Sequence, residues 1–164
     1  MPGKLLQVRN SPIHGRGVFA IVPIKKGTRL LEYKGKRLTH KQADKLYGGG
    51  SETGHTFLFT LNDDYVIDAN QEGNSARWIN HSCAPNCESI CEAATDDDPE
   101  NDRVFIEAIR NIKAGEELAY NYLITLEEKH TKRLEKIWEC RCGAKNCNGT
   151  MLAKKKEKKE KKKK

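Results

Sequence analysis

No run of apolar residues in this sequence is long enough to cross a membrane, and residues 1–15 lack the apolar core of a secretory signal. The expected compartment is the cytoplasm in a bacterium or the nucleus in a eukaryote. In either, cysteines serve more often as metal ligands than as disulfides. Apolar residues amount to 37%, against 32% charged, the balance of a small soluble protein. No internal repeat is present. The 164 residues fit one domain with appendages, enough to bury a core.

The formal charge of +7 is confined to one place. Residues 154–164 hold nine Lys and two Glu, which leaves 21 basic and 21 acidic side chains elsewhere. The body is therefore neutral, and the tail, with nothing apolar to bury, is expected to be disordered. It reads as a solubilising extension, a nuclear import signal or a weak phosphate-neutralising contact with nucleic acid. No aromatic residue interleaves the lysines, so base stacking has no support.

Residues 5–35 read as short strands cut by turns at Pro23 and Gly27. Thr39 and Gln42 form a capping-box pattern opening a short helix that Gly48 and its two following glycines end. Residues 57–61 and 65–67, split by Asn62-Asp63-Asp64, read as a hairpin. Residues 73–87 read as an ordered loop, and residues 104–109 as a strand. Residues 88–102 hold seven acidic residues and no basic one, which reads as a surface insertion. Such a loop is either merely solvated, or attracts a basic substrate, or docks the lysine tail. Thr125 and Glu128 suggest a second capping box, with Leu126, His130, Leu134 and Ile137 on one helical stripe.

Cys140, Cys142 and Cys147 place three thiols within eight residues, with Gly143 permitting a tight turn. Zinc takes four ligands in a tetrahedron, so a fourth must come from elsewhere: Cys83, Cys87, Cys91 or a histidine. The alternative is three reduced, unliganded thiols or a single disulfide.

Four segments, in order, resemble SET-domain protein lysine methyltransferases. They are His14-Gly15-Arg16-Gly17-Val18-Phe19, the run from Gly73 to Cys87 containing Asn80-His81-Ser82-Cys83, the run from Gly115 to Tyr122, and the cluster from Cys140 to Cys147. The resemblance implies a mainly β SET fold: several small antiparallel sheets around a pseudoknot-like core, with few short helices and a post-SET zinc knot. It divides the chain into a SET domain (1–123), a connecting helix (124–138), a post-SET zinc-binding segment (139–153) and the tail (154–164). It implies zinc held by Cys83, Cys140, Cys142 and Cys147, and S-adenosylmethionine held by His14, Arg16, Gly17, Phe19, Phe57, Asn80 and His81. Tyr122 takes the place of the tyrosine whose hydroxyl lies near the transferring methyl, and Tyr120 that of a Phe/Tyr position governing methylation state.

Methyl transfer from a sulfonium to an amine needs a neutral lysine, an in-line cofactor and exclusion of water, but no acid–base triad. Asn74 and Arg77 are expected to brace the central loop and Trp78 to lie in the core. Ala119, Asn121 and Lys36 depart from commoner family residues. The expected function is methylation of lysine on a histone or histone-like basic protein, mainly to the mono- or dimethyl level. The rivals are a non-catalytic SET scaffold that binds a protein tail, and a zinc-dependent nucleic-acid binder. Nothing in the sequence fixes an oligomeric state.

Overall fold

The computed structural model describes residues 4–48, 56–126 and 129–153. The lysine tail, and Glu128 of the second expected capping box, lie outside these residues.

The described chain forms several small sheets and two short helices. Strands β1 (Leu6–Asn10) and β2 (Arg16–Ala20) pair antiparallel. A three-stranded antiparallel sheet has the order β3 (Arg29–Glu32), β9 (Arg103–Ala108), β8 (Cys87–Glu92). A second has the order β4 (Lys36–Thr39), β6 (Tyr65–Asp68), β5 (Leu58–Thr60). The last sheet is the exception to the antiparallel rule. Here β7 (Asn80–His81) lies parallel to β10 (Ala119–Tyr120), with Asn80 opposite Ala119 and His81 opposite Tyr120. This pairing draws the two motif-bearing segments together.

Local chemistry explains the elements that were legible. Helix α1 (His40–Tyr47) starts on a complete capping box, in which Thr39 accepts from the Gln42 backbone and Gln42 accepts from the Thr39 backbone. It ends on Gly48 in the left-handed conformation. Asn62 shapes the β5–β6 turn by accepting from the N–H groups of Asp64 and Tyr65, at 3.0 and 2.9 Å.

Two expectations are corrected. The acidic segment is no simple insertion, because its first part is strand β8, in register with β9 from Cys87–Ala108 to Glu92–Arg103. Glu92 meets the Arg29 guanidinium at 2.5 Å, so some of the acidic charge serves cross-strand pairing. Residues 93–102 alone form the connection, fastened by Arg37, which donates to the Glu100 and Asp102 carbonyls at 3.2 and 2.9 Å. Second, helix α2 (Lys132–Ile137) begins after Thr131, whose hydroxyl accepts from the Leu134 N–H, and not after Thr125. Of the expected stripe only Leu134 and Ile137 lie on this helix, and Leu126 and His130 precede it. Leu134 is buried with Trp138 and Leu152, flanked by Ile124, Leu126, Ile137 and Met151.

The main core, including Val18, Ile67, Ile79, Ile106, Ile112 and Leu118, sits between the sheets. Asp68 is buried beneath it and accepts from the Tyr47 hydroxyl at 2.6 Å, Gln71 at 3.0 Å, and the backbone and side chain of Asn70 at 2.9 and 3.0 Å. Burial pushes its carboxyl up, but these four donors outweigh that and hold it below the usual range. No helix among the described residues is long and apolar enough to cross a membrane.

Candidate active site and metal centre

A cleft of about 310 Å³ lies between the central loop and the C-terminal segment. One wall is built by Ile13, His14, Gly15 and Arg16, with Arg77, Trp78, Asn80 and His81. The other is built by residues 136–141 and Met151, while Phe57 and Tyr122 also face in. The volume lies at the lower end of the range for small-molecule sites. Of the expected cofactor residues, His14, Arg16, Phe57, Asn80 and His81 line this cleft. Gly17 and Phe19 do not; Phe19 lies farther along β2, with the Arg9 guanidinium over its ring at 5.5 Å.

The first wall is organised by one amide. The Asn80 amide nitrogen, with two hydrogens to give, lies within hydrogen-bonding distance of four acceptors: the His14 and Arg16 carbonyls at 3.2 and 3.0 Å, the Ser11 hydroxyl at 3.1 Å and Glu117 at 2.8 Å. Glu117 also accepts from the Ser11 hydroxyl with both oxygens, at 2.7 and 2.9 Å. Sequence reasoning missed Glu117, whose partners Ser11, Gly17 and Asn80 are all distant in the chain. Its signal is Gly17. A Cβ built there would lie 2.2 Å from Glu117 Oε1, so the glycine makes room for this carboxylate. Gly15, with φ +48°, supplies the left-handed turn that begins the strand.

Asn74 braces the loop as expected, donating to the Glu32 carbonyl at 2.8 Å. Arg77 donates to the Ala69 carbonyl at 3.3 Å, and its guanidinium also lies over the rings of Phe57 and Trp78, at 5.4 and 4.5 Å. Trp78 is only half-buried: it packs against the core on one side and borders the cleft on the other. Its ring meets Phe57 edge-on at 5.2 Å.

Tyr122 and Tyr120 lie together, ring centroids 4.9 Å apart. The Tyr122 hydroxyl donates to the Ile79 carbonyl in a short hydrogen bond. Its acceptor lone pairs remain for another partner. Burial pushes both phenols well above their ordinary range, so both stay protonated. Tyr33, Phe59 and Tyr120 extend the aromatic layer, with centroids 5.1 and 6.3 Å apart in sequence. Tyr33 anchors it by donating to the Phe57 carbonyl at 3.1 Å.

His81 is buried, and its Nδ1 accepts from the Tyr122 backbone N–H at 3.0 Å. Burial lowers it to about 4, so the ring is neutral near pH 7. Its Nε2 lies 3.6 Å from Cys83 Sγ.

The sulfur atoms of Cys83, Cys140, Cys142 and Cys147 all lie within 4.8 Å of one another. Cys83 is 3.7 Å from Cys140 and 3.9 Å from Cys147. Zinc–sulfur bonds of about 2.3 Å in a tetrahedron place sulfurs roughly 3.8 Å apart, so this thiol cage fits zinc. Burial pushes the Cys83 and Cys140 thiols up. It opposes ionisation of Cys142 too, but there the N–H groups of Cys83 and Ala144 and the neighbouring thiols outweigh it and hold the thiol below its ordinary range. Backbone N–H groups of Asn148 and Gly149 point at Cys83 and Cys147, at 3.4 and 3.3 Å. Of the candidates for fourth member, the fold selects Cys83. Cys87 is buried at the start of β8, opposite Ala108 of β9, and Cys91 lies on the same strand against the Leu61 carbonyl.

Comparison with known proteins gives the same outline. The family model described as SET domain matches residues 15–123. Histone-lysine N-methyltransferase 2D of Homo sapiens is 37% identical over 144 residues, 86% of this chain and 2% of that protein. Histone-lysine N-methyltransferase, H3 lysine-4 specific, of Candida albicans is 36% identical over 141 residues, 85% of this chain and 13% of that protein. Histone-lysine N-methyltransferase trithorax of Drosophila melanogaster is 37% identical over 141 residues, 85% of this chain and 4% of that protein. The chain thus spans only a small part of the length of these relatives.

Proposed function

Because this chain belongs to the SET-domain family, we propose that it transfers a methyl group from S-adenosylmethionine to a lysine side-chain amine on a histone or histone-like basic protein. The observation that supports this most is the position of Tyr122. Its buried hydroxyl is aimed by the Ile79 carbonyl, and it lines the same cleft as His14, Arg16, Asn80 and His81.

S-adenosylmethionine, when bound, supplies an electrophilic methyl group. Of the residues the resemblance names, His14, Arg16, Phe57, Asn80 and His81 would hold it, while Gly17 and Phe19 lie outside the lining; the Asn80 amide sets the carbonyls of His14 and Arg16. The Tyr122 hydroxyl, its proton committed to Ile79, offers lone pairs for weak C–H···O contacts that orient a polarised methyl. The aromatic layer of Tyr33, Phe59, Tyr120 and Tyr122 desolvates an entering lysine and lowers its pKa from about 10.4 toward the neutral, nucleophilic form. Tyr120, carrying a hydroxyl in that layer, restricts space for further methyl groups and favours mono- or dimethyl-lysine.

The finer substrate reading follows the Candida relative, whose name specifies lysine 4 of histone H3. An unmethylated amino-terminal H3 peptide is the first substrate to try. Residues 1–123 act as the catalytic unit, 124–138 as the connection and 139–153 as the zinc-bearing wall of the cleft, with residues 154–164 available for weak nucleic-acid contact. In a eukaryote this activity is nuclear. Calorimetric titration of S-adenosylmethionine into the zinc-loaded chain tests the reading. Stoichiometric binding is expected, and no binding would leave a non-catalytic scaffold as the better description.

A further inference from the structure

The imidazole of His81 stands between two things the fold brings close, a sulfur of the thiol cage and the backbone of Tyr122. Its two nitrogens do not have interchangeable roles. The Tyr122 backbone N–H is only a donor, and it points at Nδ1 from 3.0 Å. Nδ1 must therefore carry the lone pair. In a neutral ring the proton then sits on Nε2. That Nε2 faces Cys83 Sγ at 3.6 Å. A nitrogen–sulfur separation of this size suits an N–H donor to a thiolate, the form in which Cys83 would bind zinc. The ring is buried and held edge-on against Tyr122 at 5.4 Å, so it has little freedom to turn away.

We propose that His81 is a positioning residue that couples the metal cage to the active-site tyrosine, donating from Nε2 to the Cys83 sulfur while Nδ1 fixes the Tyr122 main chain. Outer-shell donors of this kind orient and tune metal ligands. Here the donor is also an acceptor for the catalytic segment. Metal binding thus selects the tautomer that Tyr122 requires, and loss of metal loosens Tyr122 before any larger unfolding. The inference concerns a choice of tautomer and involves no change in net protonation. It rests on reading the four thiols as a zinc site, and not on methyl transfer.

The test uses the full chain, with zinc content measured first. Two variants divide the ring's functions. His81→Gln keeps a donor near the Nε2 position and loses the Nδ1 acceptor; His81→Asn keeps an acceptor near Nδ1 and loses the donor. Zinc release to a chelator is expected to quicken about tenfold in His81→Asn and to stay within about threefold of wild type in His81→Gln. If both variants misfold, the wild type still decides. Long-range 1H–15N spectra of the zinc-loaded chain should report the Nε2–H tautomer, and the Tyr122 amide resonance should move when zinc is stripped. An Nδ1–H tautomer, equal zinc release in two folded variants, or a Tyr122 amide indifferent to zinc would each overturn the proposal. Absence of stoichiometric zinc would overturn the zinc reading itself.

Discussion

Substituting Gly17 by Ala isolates the contact on which the first wall of the cleft depends. The added Cβ would lie 2.2 Å from Glu117 Oε1, 2.8 Å from its Cδ and 3.1 Å from Ser11 Cβ. The carboxylate must move, and it is tethered to the Ser11 hydroxyl at 2.7 and 2.9 Å and to Asn80 at 2.8 Å. Hydrogen bonds to charged groups contribute about 1.5–3 kcal/mol each. Glu117 is half-buried, so water replaces part of what is lost, and the net cost should be about 2 kcal/mol. For a domain of this size that lowers Tm by about 4–8 °C. Thermal unfolding of Gly17→Ala, Glu117→Ala and the double variant forms a cycle. The double variant should be about as stable as Glu117→Ala alone, because the obstacle has gone. Additive losses would refute the argument that Gly17 is glycine on account of Glu117.

Further perturbations report on other parts of the account. Replacing Asp68 by Asn should destabilise the fold by about 2 kcal/mol at pH 7, because four donors lose a charged acceptor. Since the folded carboxyl lies below its unfolded value of about 3.9, its contribution is complete above that value and disappears as pH falls through the folded one. Urea midpoints measured from pH 7 to pH 2 should accordingly fall less steeply in Asp68→Asn at the acid end. Stripping zinc should loosen the cluster of Leu134, Trp138 and Leu152, seen as a shift in Trp138 fluorescence, while the main core keeps its far-ultraviolet circular dichroism. Tyr120→Phe should raise the methylation state of the product, read by mass spectrometry; trimethyl-lysine as the chief wild-type product would contradict that role.

Elements set by neighbouring residues were readable from sequence. The Thr39 capping box, the Asn62 turn and the thiol spacing at Cys140–Cys142–Cys147 are all local chemistry. Elements set by distant contacts were not. Acidic composition concealed strand β8, whose place comes from a six-residue register against β9. The capping-box pattern at Thr125 misplaced the start of helix α2, which is capped by Thr131 and packs Leu134 against Trp138. Membership of the thiol cage needed the fold as well, since Cys83 lies 57 residues before Cys140, and the resemblance had named it before geometry did. Glu117 was hidden because the reason for it lies across the chain, at Ser11, Gly17 and Asn80.

The most direct test of the central claim is transfer of labelled methyl from S-adenosylmethionine to mixed histones by the zinc-loaded chain and its Tyr122→Phe variant. The account predicts label in lysine with the wild type and a loss of about a hundredfold or more in the variant, which removes the hydroxyl aimed by Ile79. Equal transfer by both proteins would contradict the assignment of Tyr122, and no transfer by a wild type that binds the cofactor would show that histones are not its substrate.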